Sequence, residues 1–147
     1  MNAGGVSKAC KSNGQKSVVR DERSEMCYDS PPMIRSYTDI LVYKQSKSLY
    51  PIVMELAKTF PPHGRHLRDQ LCRAANSIHA NIAEGFGRSQ AEFKMYLTRA
   101  LGSCNEVKSH LEDAMAVKMM TSEKGQELID EYMVIGKQLY RLRERWH

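Results

Sequence analysis

Apolar residues recur at helical spacing in four successive segments of the chain. In the first, Leu41, Val42, Leu49, Ile52, Val53, Leu56 and Phe60 share one face, the pattern of an amphipathic helix. It is expected to start near Thr38 or Asp39, either of which can cap it. Pro51 removes a backbone donor and crowds the preceding turn. Because the apolar period continues across it, a kink is expected there and not a break. The run from Thr59 to Gly64, TFPPHG, ends the helix.

The second helix is expected from about Arg65 to Glu84, with Leu67, Leu71, Ala74, Ala75, Ile78 and Ile82 as its buried stripe. Ala74, Ala75, Ala80 and Ala83 are small enough to admit a close neighbour. Gly85 and Gly87 follow as suppliers of the positive φ favoured just past a helix end. Ser89 stands three residues before Glu92, the spacing of a capping box that opens the next helix. There Phe93, Leu97, Ala100, Cys104, Val107, Leu111 and Ala114 are spaced 4, 3, 4, 3, 4, 3, the seam of a bundle. This third helix should run to about Val117, and Gly102 in its middle points to a close helix contact. Ser122 is the expected cap of a fourth helix carrying Leu128, Tyr132, Ile135, Leu139 and Leu142 and ending near Arg145. Strand alternation and internal repeats are lacking. Four helices with short links predict an all-α fold, an up-down-up-down antiparallel four-helix bundle over residues 37–147.

Residues 1–36 read differently. They are rich in Ser, Lys, Gly and Asn, their apolar residues follow no period, and Pro31 and Pro32 close them. They are expected to form a disordered, mildly basic tail, a solubilising segment more than a nucleic-acid-binding arm, because its charges alternate. The whole chain, at 147 residues, has single-domain length and a net charge of +5. That balance permits a nucleic acid or an acidic protein as partner and selects neither. Cysteines at 10, 27, 72 and 104 form no C-x-x-C pair and no zinc-type cluster. Cys72 and Cys104 fall in helical segments and read as buried free thiols, which suits a reducing cytoplasm. The longest apolar run is too short to span a bilayer, and the N-terminus lacks the apolar core of a signal peptide.

Candidate chemistry is sparse. No E-x-x-H pair occurs, so the ferritin-like metal set is missing. Glu106 with His110 is a lone pair, and the histidines read as surface residues. G-x-S-x-G and the phosphate-binding loop are absent, and Gly85-Phe86-Gly87 follows no strand. Hydrolysis would need convergent carboxylates, for which Glu84 and Glu106 are the candidates across the second and third helices. A structural part suits both carboxylates better. Asn81, Glu84, Ser103 and Glu106 form a hydrogen-bonded network that fixes helix register, with Arg73, Arg88 and Arg99 as donors. Ser77 and Ser103 read as small packing residues. No catalytic residue, metal or cofactor is implied. The expected topology gathers Arg88, Lys94, Arg141, Arg143 and Arg145 at one end of the bundle, opposed by Asp39, Glu84, Glu92 and Glu144. Arg65, Arg68 and Arg73 lie along the second helix, away from its apolar stripe.

Ser77-x-x-Ala80-Asn81-Ile82-Ala83-Glu84-Gly85-Phe86-Gly87-Arg88, followed by Glu92-Phe93-x-x-Tyr96-Leu97-x-x-Ala100-Leu101-Gly102-Ser103-x-x-Glu106, resembles the signature of bacterial four-helix-bundle proteins encoded in 23S rRNA intervening sequences. That family includes the accessory variability determinant of diversity-generating retroelements. The resemblance extends from about Tyr37 to Arg145. His79 stands where many members have proline. The resemblance implies a protomer that assembles into a homopentamer and has no catalytic residues. In the retroelement branch it implies binding of RNA or DNA and partnership with the reverse transcriptase; in the alternative, intervening-sequence branch the role is obscure and association with rRNA is only a guess. Phosphate contacts would come from Arg65, Arg68, Arg73, Arg88, Arg141, Arg143 and Arg145 without base readout. Two rivals stand beside this reading. One is a protein-only assembly module using Tyr43, Tyr50, Tyr96, Tyr140 and Trp146 as outward contacts. The other is an enzyme built on Glu84 and Glu106.

Overall fold

The computed structural model describes residues 33–147, and the expectations for residues 1–32 lie outside that range. Four helices follow one another: α1 (Leu41–Lys58), α2 (Arg65–Gly85), α3 (Gln90–Ala116) and α4 (Ser122–Arg145). Single 3-10 turns at Tyr37–Asp39 and Pro62–Gly64 precede α1 and α2. The fold is all-helical, and no strand occurs among the described residues. Sequential helices are neighbours. The α2–α3 interface is the most extensive, followed by α3–α4 and α1–α2, while α1 and α4 touch far less.

The seams largely fall where the apolar period puts them. Every one of Phe93, Leu97, Ala100, Cys104, Val107, Leu111 and Ala114 is buried, as are Leu71, Ala74, Ala75, Ile78 and Ile82 from α2. From α4 come Leu128, Tyr132, Ile135 and Leu139. On α1 the face is rotated from expectation. Ile40 and Val42 are buried, whereas Leu41 is 61% and Ile52 45% exposed. Ala80 on α2 is exposed too, so it does not serve close packing. α1 runs unbroken through Pro51. Pro51 lies on the exposed side, so the missing donor falls away from the core.

The caps differ in detail. Ser36, and neither Thr38 nor Asp39, caps the first turn. Its hydroxyl accepts from the Thr38 amide, and the Asp39 carboxylate accepts from the Ser36 and Arg35 amides. Thr121, one residue before the expected Ser122, caps α4 by accepting from the Lys124 amide. The Ser89–Glu92 capping box of α3 is present. Its two hydrogen bonds from Ser89 hold the Glu92 carboxyl below its ordinary range.

The glycines divide otherwise than their sequence positions suggest. Among the described glycines Gly87 alone carries a positive φ, at 83°, with open space around it. Gly85 is the last residue of α2 and is needed for its lack of a side chain. A β carbon there would stand 2.5 Å from Tyr96 Cβ. Gly102, expected at a close helix contact, has nothing within 4 Å. At the end of α3, Lys118 takes φ 57°. Its amide bonds Met115 O and the Met119 amide bonds Ala114 O, the Schellman pattern with lysine where glycine is usual.

Candidate functional site

The end of the bundle that holds the α2–α3 turn also holds the start of α1 and the end of α4. An aromatic cluster closes it. Phe86 stands edge-on to Tyr37, Phe93 and Trp146 at 6.4, 6.1 and 6.2 Å between ring centres. Trp146 packs on Phe93 at 4.6 Å, and Gln90 Nε2 donates to Trp146 O. The four rings come from four separate segments, so no local sequence signal assembles them.

Around this cluster lie five of the cations expected there, in unequal states. Arg88 is committed to structure. Its Nε donates to Glu84 O, its guanidinium approaches Glu84 and Glu92 at 3.9 and 3.8 Å, and it lies 5.1 Å from the centre of the Tyr96 ring. Arg143 is held by Glu144 at 3.0 Å and lies over the Tyr140 ring at 5.1 Å. Lys94, Arg141 and Arg145 make no ion pair among the described residues. Arg65 and Arg68 both pair with Asp69 at the far end of α2. Twenty residues at 1.5 Å each put Arg65 roughly 30 Å from the turn end. Arg73 is exposed between the two groups. The seven arginines therefore do not form one site.

Two of the four residues expected in one network, Asn81 and Ser103, meet through Ser77. Asn81 Nδ2 donates to Ser77 O and Ser77 Oγ at 2.8 and 3.0 Å. Ser103 Oγ donates to Ser77 Oγ at 2.9 Å, crossing from α3 to α2. Ser77, read as a packing residue, is thus the hub. Glu84 is not part of it. Its Oε1 accepts from the Tyr96 hydroxyl at 2.8 Å. Glu106 is separate again, facing His110 on its own helix at 3.6 Å. Tyr96 marks the level of Glu84 on α3, and Glu106 lies about 15 Å farther along it. The two carboxylates do not converge.

His63 and His66 are exposed as expected, whereas His79 and most of the tyrosines depart from their expected places. His79 is only 6% exposed. Its ring is flanked edge-on by Tyr43 and Tyr50 at 6.2 and 5.5 Å. Burial, helped by the charge of Lys47, lowers its pKa. Tyr43 and Tyr50 therefore pack inward, Tyr96 is buried, and Trp146 is partly covered. Of the five aromatic residues expected outside, Tyr140 alone is exposed. Cys104 is buried and donates to Tyr132 O at 3.0 Å, and burial pushes its thiol up to about 11. Cys72 is half-buried. No group of three or more metal-ligating side chains occurs among the described residues. None of the described helices is long and apolar enough to cross a membrane.

A second feature was not anticipated by sequence. An open groove of about 390 Å³ runs between α3 and α4, with Lys108, Lys137, Tyr140 and Arg141 on its walls. Lys108 and Lys137 sit on different helices, and their shared side of the molecule follows only from how α3 and α4 pair.

Comparison with known proteins places this geometry. A family model described as 23S rRNA-intervening sequence protein matches residues 38–141. The chain is similar to a crystal structure of a protein of unknown function from the S23 ribosomal protein family of Bacteroides thetaiotaomicron. The two share 26% identity at a TM-score of 0.67, over 72% of this chain and 97% of that one. No curated protein matches the chain.

Proposed function

The chain belongs to the 23S rRNA-intervening sequence protein family, and on that premise we propose that it is a non-enzymatic nucleic-acid-binding scaffold. The observation that carries the reading is the basic end of α4. Lys137, Arg141, Arg143 and Arg145 fall in its last turns, and only Arg143 has an acidic partner among the described residues. Cations not already paired can neutralise phosphates, and the released counterions drive binding without sequence preference. Arg88 supports the scaffold, and Arg65 and Arg68 are partly neutralised by Asp69.

The scaffold is a homo-oligomer, a pentamer by the family resemblance. Leu41 and Ile52 give this physical support, since both are exposed and three turns apart on one face of α1. Its partner, by the same resemblance, is a structured RNA or the reverse transcriptase of a diversity-generating retroelement. Co-purification of the two proteins with their RNA tests the retroelement branch.

The binding reading is tested by titrating labelled RNA and DNA with the full chain across salt. Log K is expected to fall linearly with log salt, by about 0.7–0.9 per phosphate neutralised. Arg141→Glu with Arg145→Glu should weaken all sequences alike while leaving helicity and oligomer size intact. No binding at low salt, or a response flat in salt, would overturn it.

A further inference from the structure

The groove between α3 and α4 has a chemistry that the cationic helix end alone does not. Lys108 and Asn105 face it from α3, one turn apart, and Lys137, Tyr140 and Arg141 face it from α4. No Asp or Glu lines it. Neither Lys108, Lys137 nor Arg141 makes an ion pair among the described residues. Gly136 deepens the floor. A β carbon there would reach only ordinary contact, 3.6 Å from Cys104 Sγ and 3.8 Å from Leu101 Cδ1, so a side chain would fill space that is now open. Tyr140 is 51% exposed beside these cations. Its ring is not loose, because the Arg143 guanidinium lies 5.1 Å from its centre and Arg143 is itself held by Glu144 and Thr98.

Three cations from two helices, an amide and a braced, half-exposed aromatic ring suit an occupant that alternates phosphate with flat, apolar rings. An acidic peptide would use the cations and leave the ring idle. A duplex presents phosphates but keeps its bases stacked inside. We propose that this groove binds a single-stranded segment of nucleic acid, with one base stacked on Tyr140 and its flanking phosphates on Lys108, Lys137 and Arg141. The site rests on the nucleic-acid-binding reading above and locates it: Lys108 and Lys137 are added to the contacts, and the preference for unpaired strands is new. Stacking on an aromatic ring is tolerant of sequence because every base has a flat face.

The test uses the full chain and fluorescence anisotropy of a labelled 12-nucleotide oligouridylate, with a duplex of equal length and a polyglutamate peptide as competitors. The single strand is expected to bind more tightly than the duplex, and polyglutamate to compete poorly. Tyr140→Ala should weaken the single strand about tenfold, the loss of one stacked base, and leave duplex binding unchanged. Tyr140→Phe should keep wild-type affinity, which separates stacking from damage to the fold. Lys108→Ala with Lys137→Ala should reduce the salt slope by about 1.4, roughly 0.7 per phosphate on a single strand. If these variants bind the single strand with wild-type affinity and slope while Arg145→Glu does not, the groove assignment falls and the broader reading stands. Polyglutamate binding as tightly as the oligonucleotide would also overturn the groove assignment. A wild-type chain that binds no nucleic acid overturns both.

Discussion

Gly85 and Tyr96 stand so close that a β carbon on Gly85 would lie 2.5 Å from Tyr96 Cβ and 3.0 Å from Phe93 Cδ2. This contact sets how nearly α2 and α3 approach at their turn. It also positions the Tyr96 hydroxyl on Glu84. Gly85→Ala should therefore destabilise the protein by about 1–3 kcal/mol through overpacking. Gly102→Ala, in open space within α3, should stabilise it by about 0.5–1 kcal/mol through lower chain entropy. Denaturant midpoints of the two variants should move in opposite directions.

Lys118 occupies the left-handed position that closes α3. A side chain there costs roughly 1 kcal/mol that glycine avoids. Lys118→Gly should raise stability by up to about 1 kcal/mol, read from the thermal midpoint. A Lys118→Val variant should lower it, because a β-branched side chain is most strained at positive φ.

Tyr132 is fully buried, and its hydroxyl has no hydrogen-bond partner among the described residues. Burial raises its pKa. Removing an unpaired buried hydroxyl relieves a desolvation cost of about 1–3 kcal/mol. Tyr132→Phe should be neutral or stabilising in urea unfolding. Ser77→Ala makes the opposite case, since it strips partners from Asn81 and Ser103. It should destabilise by about 0.5–1.5 kcal/mol.

His79 links stability to pH. Its pKa is lowered in the fold by burial among Tyr43 and Tyr50 and by the nearby Lys47 charge. The unfolded chain then binds the proton first. Its contribution is complete above the ordinary histidine pKa and is lost as pH falls through that value toward the lower folded one. Thermal midpoints of the wild type and of His79→Phe, measured between pH 7.5 and 5.5, should diverge, the wild type losing more. Parallel curves would remove His79 as the cause.

Arg88 and Arg141 should separate structure from binding. Arg88→Ala gives up two carboxylate contacts and the Tyr96 ring, at about 0.5–1 kcal/mol of stability. Arg141→Ala breaks no ion pair among the described residues and should leave stability within about 0.5 kcal/mol. A measured loss of stability at Arg141 instead would mark it as a structural residue.

The four helices, their order and most of their buried stripes were legible in the chain, because a helix of period 3.6 must put its apolar residues on one side. The Ser89–Glu92 box was legible because both partners lie within one turn. On α1 the pattern misled. Leu41 and Ile52 are as apolar as Ile40 and Val53, and only the setting of the helix against α2 decides which pair is covered.

What lay beyond the sequence was which side chains meet across the helices. Ser77 became the hub of the register network because Ser103 is opposite it. Glu84 and Glu106 proved to be far apart because Tyr96 fixes the level of one and not the other. The close contact expected at Gly102 falls at Gly85, because Gly85 faces an aromatic side chain and Gly102 faces open space. Lys108 and Lys137 share a groove because α3 and α4 pair side by side. Periodicity along a chain determines which face of a helix seeks the core. The height and rotation at which helices dock are set by side chains distant in sequence, so only the tertiary structure decides which polar groups meet.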